Sequence, residues 1–396
     1  MNHLGKKNTI AVLCLLAALA LVSGLLTGCG GSSATGDAGT SSGGSTGESS
    51  GEGSGKTPEE VEKIYLLTPD TTTPAWPSYY EPTEVAAVKK QFPNAEVTTL
   101  IGDDDQEKQL GQVEAAISAG AEGVILTPVD PAQAGASLVK LAAAKIPTIG
   151  YLHDPLGGPV DGYVGVNFEA VGKYFGERLE EDLPELSKNG PAKLALIYGD
   201  PTFQVYKDWL AGMEPILNPL VESGKVKVVC KADSKAWEPS VAQTATEQCL
   251  TKTGDDVSAV LAMNDSTSDG ISAALKAQNL EGKVKIYGGH DASLTGVQRV
   301  LTGEQVATFD FDAAKAGSVA AKFLAAAIEG KSVESTGLVN NKFENEYVEG
   351  GVPMYRAPEQ AVTPETVQKL VVDTGIASKQ EICTGPAAKS EFCKGS

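Results

Sequence analysis

Hydrophobic and polar positions follow two alternating patterns from residue 63 onward. Short apolar runs rich in β-branched residues indicate buried strands, and longer stretches with apolar residues at helical spacing indicate helices between them. In the stretch 105–119, for example, Leu110, Val113, Ala116 and Ile117 share one helical face. The pattern predicts strands at 63–68, 96–101, 123–127, 148–151, 163–166, 194–198, 226–230, 257–263 and 285–288. It predicts helices at 83–92, 105–119, 132–144, 168–183, 206–220, 239–251, 268–278 and 313–328.

This order of elements predicts an α/β fold. Strands buried on both faces pair in parallel sheets, because the helices between them serve as crossover connections. Residues 61–396 are also too many for one hydrophobic core of ordinary size. We therefore expect two domains, each built on a parallel sheet.

The start of the chain has the layout of a secretory signal. Lys6 and Lys7 precede an apolar run at 10–26, which is too short and lacks the flanks of a membrane span. The ending Leu-Thr-Gly-Cys29 resembles the lipobox of bacterial lipoproteins, which implies that Cys29 becomes a lipidated N-terminus. We therefore expect 1–28 to be a signal peptide and the exported protein to be held at the membrane by its lipid alone. An ordinary signal followed by a chance cysteine is the alternative.

Residues 29–60 form a different kind of segment, because Gly, Ser, Thr and acidic residues dominate it. Such a composition buries too little apolar surface to fold, so we expect a flexible tether. The whole chain carries a formal net charge of −19. That charge disfavours nucleic acid as a partner and favours solubility.

Four cysteines remain after the signal and Cys29 are set aside, and an even number in an exported protein indicates disulfides. Three pairings are possible. The sequence-local pairing joins Cys230 to Cys249 and Cys383 to Cys393. A metal site is the rival interpretation, but the spacing contains no CxxC pair and no histidine lies nearby. We therefore expect no metal and no cofactor.

Ligands of open α/β sheets bind beyond the carboxyl ends of the strands, so the residues that follow each strand are the candidates. Carboxylates, amides and two tryptophans are concentrated there, a mixture that suits the hydroxyl groups and C–H faces of a sugar. These stretches are 70–76, 128–130, 152–154, 199–204, 235–237, 264–265, 290–291 and 310–311.

Several of these stretches resemble a known family. Residues 257–265, 268–275 and 284–291 are similar to the corresponding part of type I periplasmic sugar-binding proteins of ABC transporters. Residues 224–229, Trp237, 282–291 and 296–303 look most like the xylose-binding branch, and the ribose-binding proteins are a more distant match. The resemblance covers roughly 63–372.

The resemblance implies two Rossmann-like lobes with parallel sheets, joined by a multi-segment hinge and closing on a sugar. The N-lobe would comprise 61–166 and 312–341, and the C-lobe 167–311 and 342–372. The tail 373–396 has no counterpart. The implied partner is the permease of an ABC transporter, and we expect the protein to be a monomer.

The resemblance also implies roles for single residues. Trp76 and Trp237 would sandwich the sugar ring from opposite lobes, although each would also suit a buried packing position. Asn264 and Asp291 match the family's ligand-binding amide and carboxylate; helix capping and turn formation are their alternatives, and we expect Asp265 to be the cap. The full set of candidate ligand-binding residues is Trp76, Asp130, His153, Asp154, Gln204, Lys207, Trp237, Asn264, Asp291, Asp310 and Phe311.

The chain departs from the family pattern at two positions. Relatives commonly have Asp-Arg where this chain has Leu152-His153, so the guanidinium that donates two hydrogen bonds is missing. A lysine of the xylose-binding relatives aligns with Phe311. These differences argue against xylose itself as the ligand.

Three other functions compete with sugar transport. An enzyme, such as a glycoside hydrolase, is disfavoured because the exported part has only two histidines and contains neither a nucleophile elbow nor a Walker A loop. A receptor that feeds a signalling protein would share the fold. A nucleoside-binding transport protein would use the two tryptophans to stack a base. We expect a binding protein with no catalytic residues.

Overall fold

A computed structural model of the protein describes residues 54–70 and 75–395. The expected signal peptide, Cys29 and the tether up to residue 53 lie outside the described residues. None of the helices in the described part has both the length and the apolar character needed to cross a bilayer.

The described chain alternates strands and helices. The strands are β1 Lys63–Thr68, β2 Glu96–Ile101, β3 Gly123–Leu126, β4 Thr148–Tyr151, β5 Gly162–Gly165, β6 Ala192–Tyr198, β7 Val226–Asp233, β8 Ala259–Leu261, β9 Lys285–Tyr287, β10 Thr308–Asp310, β11 Asn341–Phe343, β12 Val352–Arg356 and β13 Gln360–Val362. The helices are α1 Glu81–Gln91, α2 Gln106–Ser118, α3 Gly135–Ala143, α4 Phe168–Leu186, α5 Gln204–Glu222, α6 Pro239–Thr253, α7 Asp265–Ala277, α8 Leu294–Thr302, α9 Ala313–Ile328, α10 Lys379–Ile382 and α11 Glu391–Lys394.

Each of the two lobes is built around one β-sheet. The first has the strand order β11-β12-β5-β4-β3-β1-β2 and is parallel except for β11, and the second has the parallel order β7-β6-β8-β9. In each sheet the order reverses beside its first strand, β1 or β6. Crossover helices on the two sides of such a reversal diverge and leave a crevice at the carboxyl ends of the strands. The predicted α/β fold with two Rossmann-like lobes is therefore confirmed.

The sequence pattern located the long elements well and missed the short ones. The helix predicted at 132–144 begins at Gly135, and the strand predicted at 257–263 contracts to Ala259–Leu261. Helix α8 and strands β10 to β13 were not predicted. Three-residue strands are too short to show a repeat, and their place in a sheet depends on distant partners.

One predicted lobe boundary is wrong. Residues 342–372 were assigned as a block to the C-lobe, but β12 pairs in parallel with β5 of the first sheet. Only afterwards does the chain cross again, and β13 pairs with β10 in a separate two-stranded sheet. The lobes are therefore connected by three segments, at 166–167, 311–312 and 357–359.

The two expected cysteine pairs are present as disulfides. Cys230 of β7 is joined to Cys249 of α6, and Cys383 to Cys393 in the tail. The tail packs on α8: Ile382 is fully buried, and the side chain of Gln298 donates a hydrogen bond to its backbone oxygen at 3.2 Å.

Candidate functional site

A cavity of about 240 Å³ lies at the carboxyl ends of the strands of both lobes. Residues that follow the strands on both sides of each reversal line it, as the crevice geometry requires. The lining residues are Pro69, Asp70, Trp76, Tyr80, Asp104, Val129, Asp130, Leu152, His153, Val166, Phe168, Asp200, Thr202, Phe203, Val205, Lys235, Ala236, Trp237, Asn264, His290, Asp291 and Phe311.

Eight aromatic rings form a continuous wall around this cavity. Successive ring centroids lie between 4.4 and 6.0 Å apart, the range of favourable edge and offset contacts. In order along the wall the rings belong to Trp237, Phe203, His153, Trp76, Tyr80, Phe311, His290 and Phe168. We refer to these residues as the aromatic wall.

The loop that carries Trp237 is held in an unusual conformation. Ala236 and Trp237 have φ angles of 53° and 58°, a region that non-glycine residues occupy at some cost. Asp200 supports the loop, because its carboxylate accepts a hydrogen bond from the Ala236 amide at 2.7 Å. A Cβ atom on Gly199 would lie only 1.9 Å from the Trp237 ring, so glycine is required there. The disulfide between Cys230 and Cys249 joins the strand and helix on either side of the loop.

Asn264 has two roles in the structure. Its side-chain oxygen accepts a hydrogen bond from the Thr267 amide at 3.0 Å and so caps α7. Its side-chain nitrogen donates to Asp291 at 3.4 Å. The prediction that Asp265 is the cap is wrong: Asp265 is buried in the first turn, and its carboxylate accepts from the Ser293 amide and the Thr308 hydroxyl.

Asp291 connects the two lobes. Its Oδ1 accepts hydrogen bonds from the hydroxyl of Tyr80, 3.1 Å away in the N-lobe, and from Nδ1 of His290 at 2.9 Å. Its φ angle is 89°, so this residue too sits in a conformation that L-residues seldom adopt.

His290 is buried and positively charged at neutral pH, with a proton on each ring nitrogen. Its Nε2 donates to the carboxylate of Glu359 at 3.1 Å, in the third connecting segment. Burial lowers the pKa of His290, but the carboxylates of Glu359 and Asp291 outweigh burial and raise that pKa to about 10. Sequence reasoning did not select Glu359, since it follows no strand that the pattern reveals.

His153 occupies the same wall without a charge. Burial lowers its pKa, although the Pro128 carbonyl and the charges of Asp70 and Asp291 act in the other direction. Nδ1 lies 2.6 Å from the Pro128 oxygen and must donate to it, because a carbonyl only accepts. In the neutral ring, Nε2 is then an acceptor.

Seven candidates from the sequence line the cavity: Trp76, Asp130, His153, Trp237, Asn264, Asp291 and Phe311. Four candidates do not. Asp310 is the last residue of β10, and its carboxylate accepts a hydrogen bond from the Asp312 amide at 2.9 Å, whereas Phe311 after the strand lines the cavity. Asp154 is buried in the loop between β4 and β5, where Tyr163 donates to it at 3.1 Å and burial raises its pKa to about 7.

The other two candidates outside the cavity, Gln204 and Lys207, lie on α5. Gln204 donates to Asp208 at 2.9 Å, and Lys207 is exposed. The loop before α5 supplies Asp200, Thr202 and Phe203 instead. The stretches after the strands already contained Asp70, Asp200 and Phe203, but the pattern could not rank them. Tyr80 and Phe168 come from the starts of helices and had no sequence signal.

Comparison with known proteins agrees with this geometry. Residues 64–332 match a family described as periplasmic binding protein domain. The D-xylose-binding periplasmic protein of Haemophilus influenzae is 27% identical over 294 residues, which cover 74% of this chain and 85% of that protein. The D-xylose-binding periplasmic protein of Escherichia coli is 30% identical over 226 residues, covering 57% of this chain and 66% of that protein.

The fold is also shared with solved structures. The crystal structure of an ABC transporter solute binding protein from Clostridium phytofermentans, with bound β-D-glucose, superposes with a TM-score of 0.70 at 22% identity. The match covers 81% of this chain and 100% of that one. From the family match over 64–332 and the two-lobed fold around its cavity, the chain belongs to the periplasmic binding protein family.

Proposed function

We propose that this chain is an exported solute-binding protein that captures a monosaccharide between its two lobes and presents it to the permease of an ABC transporter. The observation that carries the proposal is the aromatic wall around a cavity that also contains the Asn264–Asp291 pair. Family membership makes the chain a binding protein and not an enzyme.

The cavity has the chemistry that a sugar needs. Aromatic faces pack against the C–H groups of a sugar ring, and carboxylates or amides bridge adjacent hydroxyls. Trp76 and Trp237 belong to opposite lobes and stand at different points of the wall. The relatives support the same ligand class, because two are D-xylose-binding proteins by name and the solved structure holds glucose.

Binding would favour the closed arrangement of the lobes. The Tyr80–Asp291 hydrogen bond joins the N-lobe to a residue that faces the ligand cavity. A ligand that contacts both lobes interacts more strongly with the closed state, and this differential affinity shifts the population toward it. The permease would then recognise the closed form.

The location of the protein is part of the proposal. The Leu-Thr-Gly-Cys29 sequence supports cleavage before Cys29 and lipidation of its thiol. The Gly/Ser-rich segment after it would hold the two lobes at a short distance from the membrane, within reach of a permease.

Thermal unfolding of the mature chain, 29–396, tests the ligand class. The panel contains neutral pentoses and hexoses, their amino derivatives, polyols, disaccharides and nucleosides. We expect a concentration-dependent rise in the unfolding midpoint with a monosaccharide, because a ligand that binds only the native state stabilises it. A response to nucleosides alone, or to no member of the panel, contradicts the proposal.

Two substitutions test the aromatic wall once a ligand is found. Trp237→Ala should weaken binding by about 1–3 kcal/mol through loss of an aromatic platform. Gly199→Ala should also weaken it, because the new methyl group would occupy the position of the Trp237 ring. Trp209→Phe is the control: Trp209 is fully buried in α5 away from the cavity, so stability should fall while affinity stays. Unchanged affinity in Trp237→Ala would make Trp237 a packing residue.

A further inference from the structure

The charges around the cavity are strongly unbalanced. Five aspartates line it, Asp70, Asp104, Asp130, Asp200 and Asp291. Among the described lining residues, Lys235 is the only lysine or arginine.

The two histidines of the aromatic wall do not correct this imbalance. The positive charge of His290 lies between two carboxylates, Asp291 and Glu359, so this group of three has a net negative charge. His153 is neutral, since burial lowers its pKa. Its Nε2 adds a further hydrogen-bond acceptor rather than a cation.

Asp200 shows how a carboxylate is kept at the cavity without a cation. It accepts hydrogen bonds from the amide of Thr202 at 2.9 Å, the hydroxyl of Thr202 at 2.7 Å and the amide of Ala236 at 2.7 Å. These neutral donors fix the position of the carboxylate but do not cancel its charge. Asp200 is only 6% exposed, so solvent screens that charge weakly.

The aromatic wall is an independent feature that favours a positively charged ligand. The faces of Trp, Tyr and Phe rings attract cations, and the attraction grows when water is excluded. Phe311 also stands at the position where the family pattern has a lysine, and Leu152-His153 where it has Asp-Arg. The lysine and the arginine of that pattern are therefore absent, and one aspartate of the pattern is absent with the arginine.

We infer that the ligand of this cavity is a monosaccharide that carries a protonated amine. The inference rests on the proposed function and specifies its ligand class. The sugar ring stacks on the aromatic wall, as a neutral sugar would. The ammonium group supplies positive charge to a lining that has five aspartates and one lysine, through charge-assisted hydrogen bonds to aspartate oxygens.

Matched sugar pairs test the inference by titration calorimetry on the mature chain. D-glucosamine is compared with D-glucose, and D-galactosamine with D-galactose, since each pair differs at one ring substituent. We expect one amino sugar to bind about tenfold or more tightly than its neutral partner, as charge-assisted hydrogen bonds allow. The difference should shrink between 50 and 500 mM NaCl because salt screens the attraction.

A substitution isolates the charge from the shape of the site. Asp130→Asn keeps the oxygen that accepts from the Ala132 amide and removes one negative charge. It should weaken amino-sugar binding about two- to fivefold more than it weakens binding of the neutral partner. Asp255→Asn is the matched control, because Asp255 is exposed and precedes β8, at the end of the sheet opposite the cavity.

The outcomes separate the inference from the proposed function. If a neutral monosaccharide binds as tightly as every amino sugar, the inference is wrong and the proposed function stands. If Asp130→Asn weakens both members of a pair equally, charge does not select the ligand and the inference also fails. If neither neutral nor amino monosaccharides bind, the proposed function itself is overturned.

Discussion

Two histidines line the same cavity and differ in charge, and the charged one is the more deeply buried: His290 is 3% exposed, whereas His153 is partly buried. His153 lies in the loop between β4 and β5 of the N-lobe, donates to a neutral carbonyl and stays neutral. His290 donates to two carboxylates, and its pKa is raised to about 10. Burial acts in the same direction on both rings. The comparison teaches that the partners of a buried group, and not its depth, decide whether it is charged.

The contacts of the two histidines also connect different parts of the molecule. His290 lies between Asp291, which faces the cavity, and Glu359, which lies in the third connecting segment. The backbone amide of Asn167, in another connecting segment, donates to Glu359 at 3.3 Å. A charged network therefore joins the ligand cavity to the hinge on this side, whereas the hydrogen bond of His153 to Pro128 stays within one lobe and its contact with Phe203 of the other lobe is an uncharged ring contact.

Removal of one carboxylate from His290 should have the largest effect. Glu359→Gln leaves a buried imidazolium with a single charged partner, and such broken pairs cost about 3–5 kcal/mol. The folded pKa of His290 lies above its ordinary value of 6.5, so its contribution to stability is complete below pH 6.5 and is lost as the pH rises through about 10. In Glu359→Gln this alkaline loss should become smaller. Urea unfolding between pH 6 and 10 measures both effects.

Glu349→Gln is the matched control for that experiment. Glu349 lies in the same part of the chain but is exposed, so its substitution should leave the free energy of unfolding nearly unchanged. An unfolding free energy for Glu359→Gln equal to that of the wild type at pH 7 would show that the His290 network does not stabilise the fold.

Glu84 sharpens the comparison because it is buried without a charged partner. It is 1% exposed on α1, and its Oε2 has no hydrogen-bond partner in the described part of the chain. Burial, assisted by the charge of Glu81, raises its pKa to about 8. An acid with a raised folded pKa destabilises the protein increasingly as the pH rises from about 4.5 to 8.

Glu84→Gln should therefore be more stable than the wild type by about 2–4 kcal/mol at pH 9 and nearly equal to it at pH 4. Chemical unfolding at the two pH values measures the difference, and Glu107→Gln, on the exposed first turn of α2, is the control. A stability difference that does not change with pH would mean that Glu84 does not ionise in this range.

Substitution of His153 should have the smallest effect. His153→Gln retains a donor for the Pro128 oxygen and removes no charge, so we expect a change below about 1 kcal/mol at pH 8. The pKa of His153 is lowered, so its contribution to stability is present above pH 6.5 and is lost as the pH falls below that value. The variant should lose less stability between pH 7 and 5. A loss of several kcal/mol at pH 8 would contradict the neutral state.

The sequence was sufficient for the order of the elements. A six-residue strand such as Lys63–Thr68 and a sixteen-residue helix such as Ala313–Ile328 show their periods locally, and both were predicted at their observed bounds. Because ligands bind where parallel strands end, the same pattern also led to Trp76, Trp237, Asn264 and Asp291. All four line the cavity.

The sequence did not predict which side chains at the ends of strands and helices face the cavity. Phe311 lines the cavity and Asp310 beside it does not; Phe203 lines it and Gln204 does not. Each pair lies at the junction of one element with a loop or the next element, where packing against distant residues, and not a local repeat, sets the direction of the side chains. Short partners such as β12, which returns to the first sheet, were hidden for the same reason.

What the sequence determined by itself is the α/β order and the loops that meet at the cavity, because both follow from short-range periodicity. Only the tertiary structure decided the chemistry of those loops. Asp291 and Glu359 reach His290 from 1 and 69 residues away along the chain, and together they charge it. Ionisation depends on distances in space and on exclusion of water, and these quantities exist only once the chain has folded.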